Sequence, residues 1–135
     1  MFAIRLLPET QRGSDGERLG EIVVDDFRET FSCHLENYAE LEYEWGKRLR
    51  ALLEGEPAIA LRHDPRFAWI VFREGSDCFV QQRLSIGGDF APLLPRVTVY
   101  EENDAVSEWK TSIHAIRGFL DKESNRNAGP TSTRV

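Results

Sequence analysis

The sequence has no long hydrophobic run and contains only two cysteines. No uncharged apolar stretch is longer than a handful of residues, so we expect no membrane span. The opening stretch, MFAIRLLPET, has too short an apolar run for a signal peptide. Cys33 and Cys78 lie far apart along the chain, and we expect two reduced, buried thiols, with a disulfide as the alternative. Together these features predict a cytoplasmic protein.

The common motifs of catalysis and cofactor binding are also missing. The sequence has no CxxC, HxxxH or HExxH spacing, which would indicate zinc, and no GxGxxG or GxxxxGK, which would indicate a phosphate loop. His63 and Asp64 could form half of a catalytic pair, but we expect a solvated surface pair in a turn. We therefore predict no catalytic residue, cofactor, metal or small-molecule substrate, and we expect that the protein is not an enzyme.

What the sequence does contain is an uneven acidic charge. The 135 residues carry a net charge of −6, with 41% apolar and 30% charged residues, as is typical of one soluble domain. Residues 9–44 contain eleven acids and three bases, which leaves this segment at −8. Such a charge disfavours nucleic-acid binding and favours a basic protein partner. An acidic surface that only aids solubility is the alternative.

Residues 37–55 form the clearest predicted element, an amphipathic helix. Asn37 is a good N-cap, Gly55 suits the position after the last turn, and Pro57 prevents continuation. The apolar residues recur at steps of three and four and so form one stripe: Tyr38, Leu41, Trp45, Leu49, Leu52 and Leu53. We expect five large residues to be mutually buried in the core: Trp45, Leu49, Trp69, Phe72 and Trp109.

The remaining pattern predicts strands and one further helix. Alternation and β-branched residues predict strands at residues 2–7, 19–24, 27–35, 58–62, 67–73, 78–86 and 96–101. A second amphipathic helix is predicted from Ser107, its N-cap, to Leu120. The strands do not alternate with helices, so we predict an α+β fold, a largely antiparallel sheet of six or seven strands with two helices packed on it. One domain is expected at residues 1–121, with a polar C-terminal tail at 122–135.

Several short stretches, in their order and spacing, resemble one bacterial family. They are FRETF at 27–31, YEW at 43–45, AIAL at 58–61, FAWIVF at 67–72, FVQQ at 79–82 and SEW at 107–109. Between about residues 20 and 120 the chain resembles the immunity proteins of contact-dependent growth inhibition systems, the CdiI type. The resemblance implies a cytoplasmic protein that binds and neutralises the C-terminal toxin domain, often a nuclease, of a CdiA-type effector. A non-enzymatic adaptor for another basic protein is the alternative.

A toxin nuclease must hold phosphate in a basic cleft, and an acidic inhibitor can fill such a cleft. We therefore predict that exposed acids contact the partner. The candidates in the acidic segment are Asp25, Asp26, Glu40, Glu42 and Glu44. A second candidate patch comprises Glu101, Glu102 and Asp104. The negative charge predicts no nucleic-acid partner, and the lack of a long apolar segment predicts no membrane partner.

Overall fold

The computed structural model describes residues 1–35, 37–84, 95–100 and 104–132. It is an α+β fold in which two antiparallel sheets, of three and four strands, are combined with two helices. The prediction of an α+β fold with antiparallel strands is confirmed, although seven strands form two sheets instead of one and two further short strands pair with each other. The chain passes from the three-stranded sheet through the first helix to the four-stranded sheet, and a hydrogen bond from His34 N to the His63 carbonyl (2.9 Å) links the two sheets.

The first sheet has the order β1-β2-β3 and is built from strands at Phe2–Leu6, Arg18–Val24 and Phe27–Cys33. Asp25 and Asp26 connect β2 to β3 in a two-residue turn. Asp25 has a positive φ of 54°, a left-handed conformation that Asp tolerates better than most residues.

Helix α1 runs from Tyr38 to Glu54 within the predicted range. The side chain of Asn37 accepts a hydrogen bond from the Glu40 amide (3.3 Å), as expected of an N-cap. Gly55 adopts a φ of 126° at the C-terminal end, and its amide bonds back to carbonyls of the last turn. The helix boundaries were therefore predictable from local sequence alone.

The second sheet has the order β4-β5-β6-β9. Its first three strands are Ala58–Arg62, Phe67–Glu74 and Asp77–Leu84. Two short strands, β7 (Val99–Tyr100) and β8 (Asp104–Ala105), pair only with each other, so the strand predicted at residues 96–101 is much shorter in the structure. Strand β9 (Glu108–Ser112) then pairs with β6 along the sheet edge.

The predicted start of the second helix is wrong. Residues 108–112 form β9, and α2 runs from Ile113 to Ser132, where Ser112 Oγ, not Ser107, accepts the Ala115 amide (3.0 Å). The spacing of Trp109 and Ile113 fits a helix, but alternate residues also face inward in a strand, and pairing with β6 decides between the two.

The second helix continues past residue 122, where the sequence predicted a tail. The boundary of the domain at 121 stays a prediction.

The core lies between the two sheets and the helices. Trp45, Leu49 and Trp69 are almost fully buried in one cluster, as predicted. Trp109 is half-buried and stacks on the ring of Phe27 at 3.8 Å between centroids. Phe72 is buried in a separate cluster with Ala68 and Ile70, because even and odd positions of β5 face opposite sides of the sheet. The prediction that all five residues share one core is therefore wrong for Phe72.

Both cysteines are free and buried, as predicted. Burial raises the pKa of the Cys33 thiol to about 12 and that of the Cys78 thiol to about 11. Neither thiol is therefore ionised near neutral pH. In the described part of the chain, no helix has the length and apolar character needed to cross a membrane.

Candidate functional site

The structure does not bring the candidate acids of residues 9–44 into one patch. Asp25 and Asp26 lie in the β2–β3 turn, beside the start of β1. Asp25 Oδ1 accepts hydrogen bonds from the N-terminal ammonium of Met1 (2.8 Å) and from Thr111 Oγ1 (3.3 Å). Asp25 thus joins β1 and β9 to the turn, and its charge is already balanced within the chain.

The acids of α1 lie at the other end of the first sheet. Glu42 Oε2 accepts a hydrogen bond from the backbone amide of Leu6, the last residue of β1, at 2.8 Å. Asp25 bonds to Met1 and Glu42 bonds to Leu6, so at about 3.4 Å per residue the two acids are separated by about 17 Å along this strand. The α1 acids and the turn acids therefore form two separate groups.

The exposed side of α1 carries charges of both signs. Its first half presents Glu40, Glu42 and Glu44, and its second half presents Lys47, Arg48 and Arg50, all of them exposed. This order matches the helix dipole, which favours acids near the N-terminus and bases near the C-terminus. Tyr43 lies among the acids and is 65% exposed. The acids were predicted from sequence to be exposed, but the exposed ring between them was not.

The second candidate patch cannot be placed as a surface. Glu101 and Glu102 lie outside the described residues. Of Asp104 the structure describes the backbone, which pairs with Tyr100 in the β7–β8 ladder. The role of all three residues in partner binding stays a prediction.

A cleft of about 270 Å³ lies between α1 and α2, and sequence reasoning missed it. We call it the α1–α2 cleft. Its α1 wall includes Glu42, Tyr43, Gly46 and Arg50, which recur at helical steps on one face. Its α2 wall includes Phe119, Leu120 and Glu123, and Ile4 of β1 contributes apolar surface.

Gly46 is the sequence signal that could have indicated this cleft. A glycine inside a helix costs about 1 kcal/mol relative to alanine, so it needs a reason. Gly46 has no positive φ, since the glycines with positive φ are at positions 16, 55 and 75. A Cβ at position 46 would meet Arg50 Nη1 at 3.5 Å, which is an ordinary contact. Neither the backbone nor packing within the chain therefore requires glycine here.

The expected surface pair of His63 and Asp64 does not form. His63 is 3% exposed, and its Nδ1 lies 3.0 Å from the Ser32 carbonyl oxygen. Burial lowers the pKa of His63, so its ring is neutral near pH 7. Asp64 Oδ2 instead contacts His34 Nδ1 at 2.8 Å. The prediction of a solvated pair is wrong because the turn after β4 packs against the end of β3, which buries the imidazole.

Asp64 completes this junction between β3 and the turn after β4. Burial by itself would raise the pKa of Asp64, but the hydrogen bond from the Arg66 amide and the contact with His34 lower it. The carboxylate is thus held ionised between its two partners. Within the described ranges, no three His, Cys, Asp or Glu side chains come together as possible metal ligands. The junction serves to connect the two sheets.

A second internal network uses acids on the four-stranded sheet. The Arg96 guanidinium bonds to Glu108 Oε1 (2.6 Å) and Glu74 Oε2 (2.9 Å) and lies 3.9 Å from the centre of the Phe79 ring. Hydrogen bonds to Glu108 and Glu74 raise the pKa of Arg96. The fully buried Gln81 donates from Nε2 to Glu108 Oε2 (2.8 Å). These acids are therefore used within the chain and are poor candidates for partner contacts.

Comparison with known proteins identifies a shared fold. No family model and no curated protein sequence matches this chain. Among solved structures, the chain is similar to one chain of the CdiA-CT/CdiI toxin and immunity complex from Enterobacter cloacae, with a TM-score of 0.73. The match covers 93% of this chain and 99% of that chain at 21% sequence identity. At this identity the comparison establishes the fold.

Proposed function

We propose that this protein is an immunity protein that binds and neutralises the C-terminal toxin domain of a CdiA-type effector. The observation that carries the proposal is the fold shared, over nearly the whole of both chains, with a chain from a CdiA-CT/CdiI toxin and immunity complex. The resemblance of residues 20–120 to CdiI-type proteins points to the immunity partner, and it rests on sequence order independently of the fold.

Neutralisation is proposed to occur by binding, not by chemistry. Helix α1 offers a rigid surface for this purpose, because several contacts fix it to both sheets. Trp45 Nε1 donates to the Arg62 carbonyl of β4 (2.7 Å), and Glu42 accepts the Leu6 amide of β1 (2.8 Å). A surface that is already ordered loses little conformational entropy on binding, which favours high affinity.

We further propose that the toxin is a nuclease and that the complex forms in the cytoplasm. The net charge of −6 supports this, because a nuclease that holds phosphates presents a basic surface. The α1 acids Glu40 and Glu44 are exposed, and among the described residues their side chains make no hydrogen bond or ion pair, so these two acids are best placed to contact that surface. Attraction between opposite charges speeds association and helps to select the partner.

If the proposal is right, a CdiA-type effector is encoded immediately before this gene, and the experiment uses the C-terminal domain of that effector. Binding is measured by isothermal titration calorimetry, and protection is measured as the survival of cells that express the toxin domain with or without this protein. We expect saturable binding and full protection. An adaptor for some other basic protein would give neither, so the absence of both binding and protection would contradict the immunity function.

A further inference from the structure

We propose that β3 binds an extended, basic segment of the toxin as an additional strand, and that a lysine or arginine of this segment pairs with Glu29. The inference rests on the proposed function, since it assigns one set of contacts within that complex. β3 is an edge strand of the three-stranded sheet. On one side of an edge strand the backbone groups have no partner in their own sheet, and an extended peptide can bind there.

The hydrogen bonds of β2 show which backbone groups of β3 point away from the sheet. The Leu7 amide donates to the Leu19 carbonyl (2.8 Å), so the backbone of Leu19 bonds toward the β1 side. Alternate residues of a central antiparallel strand bond to opposite neighbours. Ser32, the register partner of Leu19 on β3, therefore points its backbone groups away from β2, and so do Thr30 and Arg28.

This side of β3 is open at Arg28 and Thr30, which are both exposed. The Ser32 carbonyl oxygen is used there, 3.0 Å from His63 Nδ1. Within the described ranges, the outward backbone groups of Arg28 and Thr30 make no hydrogen bond. On β1, the other edge strand of this sheet, the outward amide of Leu6 is already bonded to a side chain of α1. The open groups of β3 can therefore accept a further strand.

Glu29 indicates the chemistry of that strand. It lies between Phe27 and Phe31 on the side of β3 that faces the core, because alternate residues of a strand share one side. Its side chain is half-buried and, in the part of the chain that the structure describes, makes no hydrogen bond or ion pair. A carboxylate that loses water without gaining a partner is unfavourable. A cation supplied by a bound strand would remove this cost.

An added antiparallel strand would bring a side chain directly opposite Glu29. The backbone groups of Arg28 and Thr30 would bond to the new strand, and Glu29 would lie between these bonds. Side chains of directly opposite residues approach each other most closely at such positions. Opposite charges there stabilise the pairing of two strands. A lysine or arginine at this place in the segment is therefore favoured.

A toxin segment fits this edge better than a second copy of the same chain. Two copies that paired through β3 would offer each other the inward residues Phe27, Glu29, Phe31 and Cys33, none of which is a cation. A nuclease presents a basic surface and can supply one. β3 also leads into α1, which begins at Tyr38 and carries the exposed acids proposed to contact the same toxin.

The first test blocks strand addition. Thr30→Pro removes the outward N–H, and the fold should persist because this amide does not bond to β2. Binding to the effector domain, measured by calorimetry, should weaken at least tenfold. Thr30→Ala is the matched control, because it keeps the N–H, and it should keep the parental affinity. Parental affinity of the Thr30→Pro protein, or equal losses for the two variants, would overturn the proposal.

The second test removes the charge and does not depend on a proline. Glu29→Gln should weaken binding at least tenfold and leave the melting temperature unchanged or higher. Glu21→Gln is the matched control, because Glu21 is the register partner of Thr30, lies on the opposite face of the sheet and is 3.6 Å from Arg28 Nη1. It should keep the parental affinity. Unchanged affinity of the Glu29→Gln protein would contradict the pairing with a cation.

Amide hydrogen exchange followed by nuclear magnetic resonance detects the added strand in the parent protein. The amides of Arg28 and Thr30 should exchange more slowly once the effector domain is bound, and equal exchange with and without it would overturn the proposal. A dimer of the free protein that Thr30→Pro dissociates would indicate a second copy on this edge and would also overturn it. If the parent protein does not bind the effector domain, the immunity function is contradicted. If the parent and all variants bind equally well, the function stands and the strand proposal is wrong.

Discussion

The indole Nε1 of Trp45 donates a 2.7 Å hydrogen bond to the carbonyl oxygen of Arg62, and this bond fastens α1 to the end of β4. The same ring is 2% exposed and packs edge-on against Phe31 of β3 at 5.9 Å. Trp45 thus connects α1 to both sheets at once. No other single side chain of α1 combines a buried ring with a bond to the second sheet in the described structure.

Trp45→Ala should destabilise the protein by about 3–5 kcal/mol, because it removes a buried ring and leaves a cavity. Trp45→Phe is the matched variant: it keeps an aromatic ring and loses the bond to Arg62, so we expect a smaller loss of about 1–2 kcal/mol. Urea unfolding followed by circular dichroism measures both. Equal stability of the parent and the Trp45→Ala protein would contradict this role.

Arg96→Ala should lower the free energy of unfolding by about 1–3 kcal/mol. The guanidinium is paired with Glu108 and Glu74 and lies over Phe79, and its removal leaves the half-buried Glu108 carboxylate with one partner fewer. Arg28→Ala is the control, because the Arg28 side chain is 64% exposed and makes a weak ion pair, with 3.6 Å between its Nη1 and Glu21 Oε2. Its loss should cost less than about 0.5 kcal/mol of unfolding free energy. Similar losses for the two variants would show that the Arg96 network adds nothing.

Buried His63 should make the protein less stable in mild acid. Its pKa in the folded state lies below the ordinary value of 6.5, because burial disfavours the charged ring. As pH falls below about 6.5, the unfolded state therefore binds a proton before the folded state does, and the free energy of unfolding decreases. Asp64 also has a lowered pKa, but its contribution is lost only at lower pH, below its ordinary value of 3.8.

Urea unfolding at pH 7.5 and pH 5.5 measures this effect. His63→Gln should reduce the difference in stability between the two pH values. The same substitution at exposed His114 should keep the difference, because His63 is still present. A parent protein that is equally stable at both pH values would contradict the assignment.

The caps and spacing of α1 made that helix predictable from sequence, whereas the second helix was placed wrongly. Asn37, Gly55 and Pro57 act locally, and their effect does not depend on the rest of the fold. Trp109 and Ile113 fit both helix and strand periods, and pairing with β6, about thirty residues earlier in the chain, decides for a strand. Long-range pairing of this kind leaves no local signal.

The candidate site, like the fold, was predictable from sequence only in part. The exposure of Glu40 and Glu44 follows from their position off the apolar stripe of α1, and the structure agrees. The internal roles of Asp25 and Glu42 were not predictable, because their partners Met1 and Leu6 are distant in sequence. The α1–α2 cleft depends on how two helices and β1 come together, and only the unexplained glycine at position 46 hinted at it.

Reversing Glu40 and Glu44 together to Lys should weaken toxin binding at least tenfold, which is about 1.4 kcal/mol. Both side chains are exposed, so the melting temperature should change little. Glu42 is not changed, because its side chain accepts a hydrogen bond from the Leu6 amide. Reversing Lys47 and Arg48 to Glu is the matched control and should not weaken binding. Equal affinities for the two double variants would contradict an interface led by the α1 acids.

The most direct measurement is the affinity of the parent protein for the C-terminal domain of the effector encoded beside it, determined by calorimetry at low and at high salt. An immunity protein whose acids meet a basic toxin should bind saturably, and the affinity should fall as salt rises, because ions screen exposed charges. Absence of binding at either salt concentration would contradict the proposed function, and tight binding that does not depend on salt would contradict the electrostatic interface.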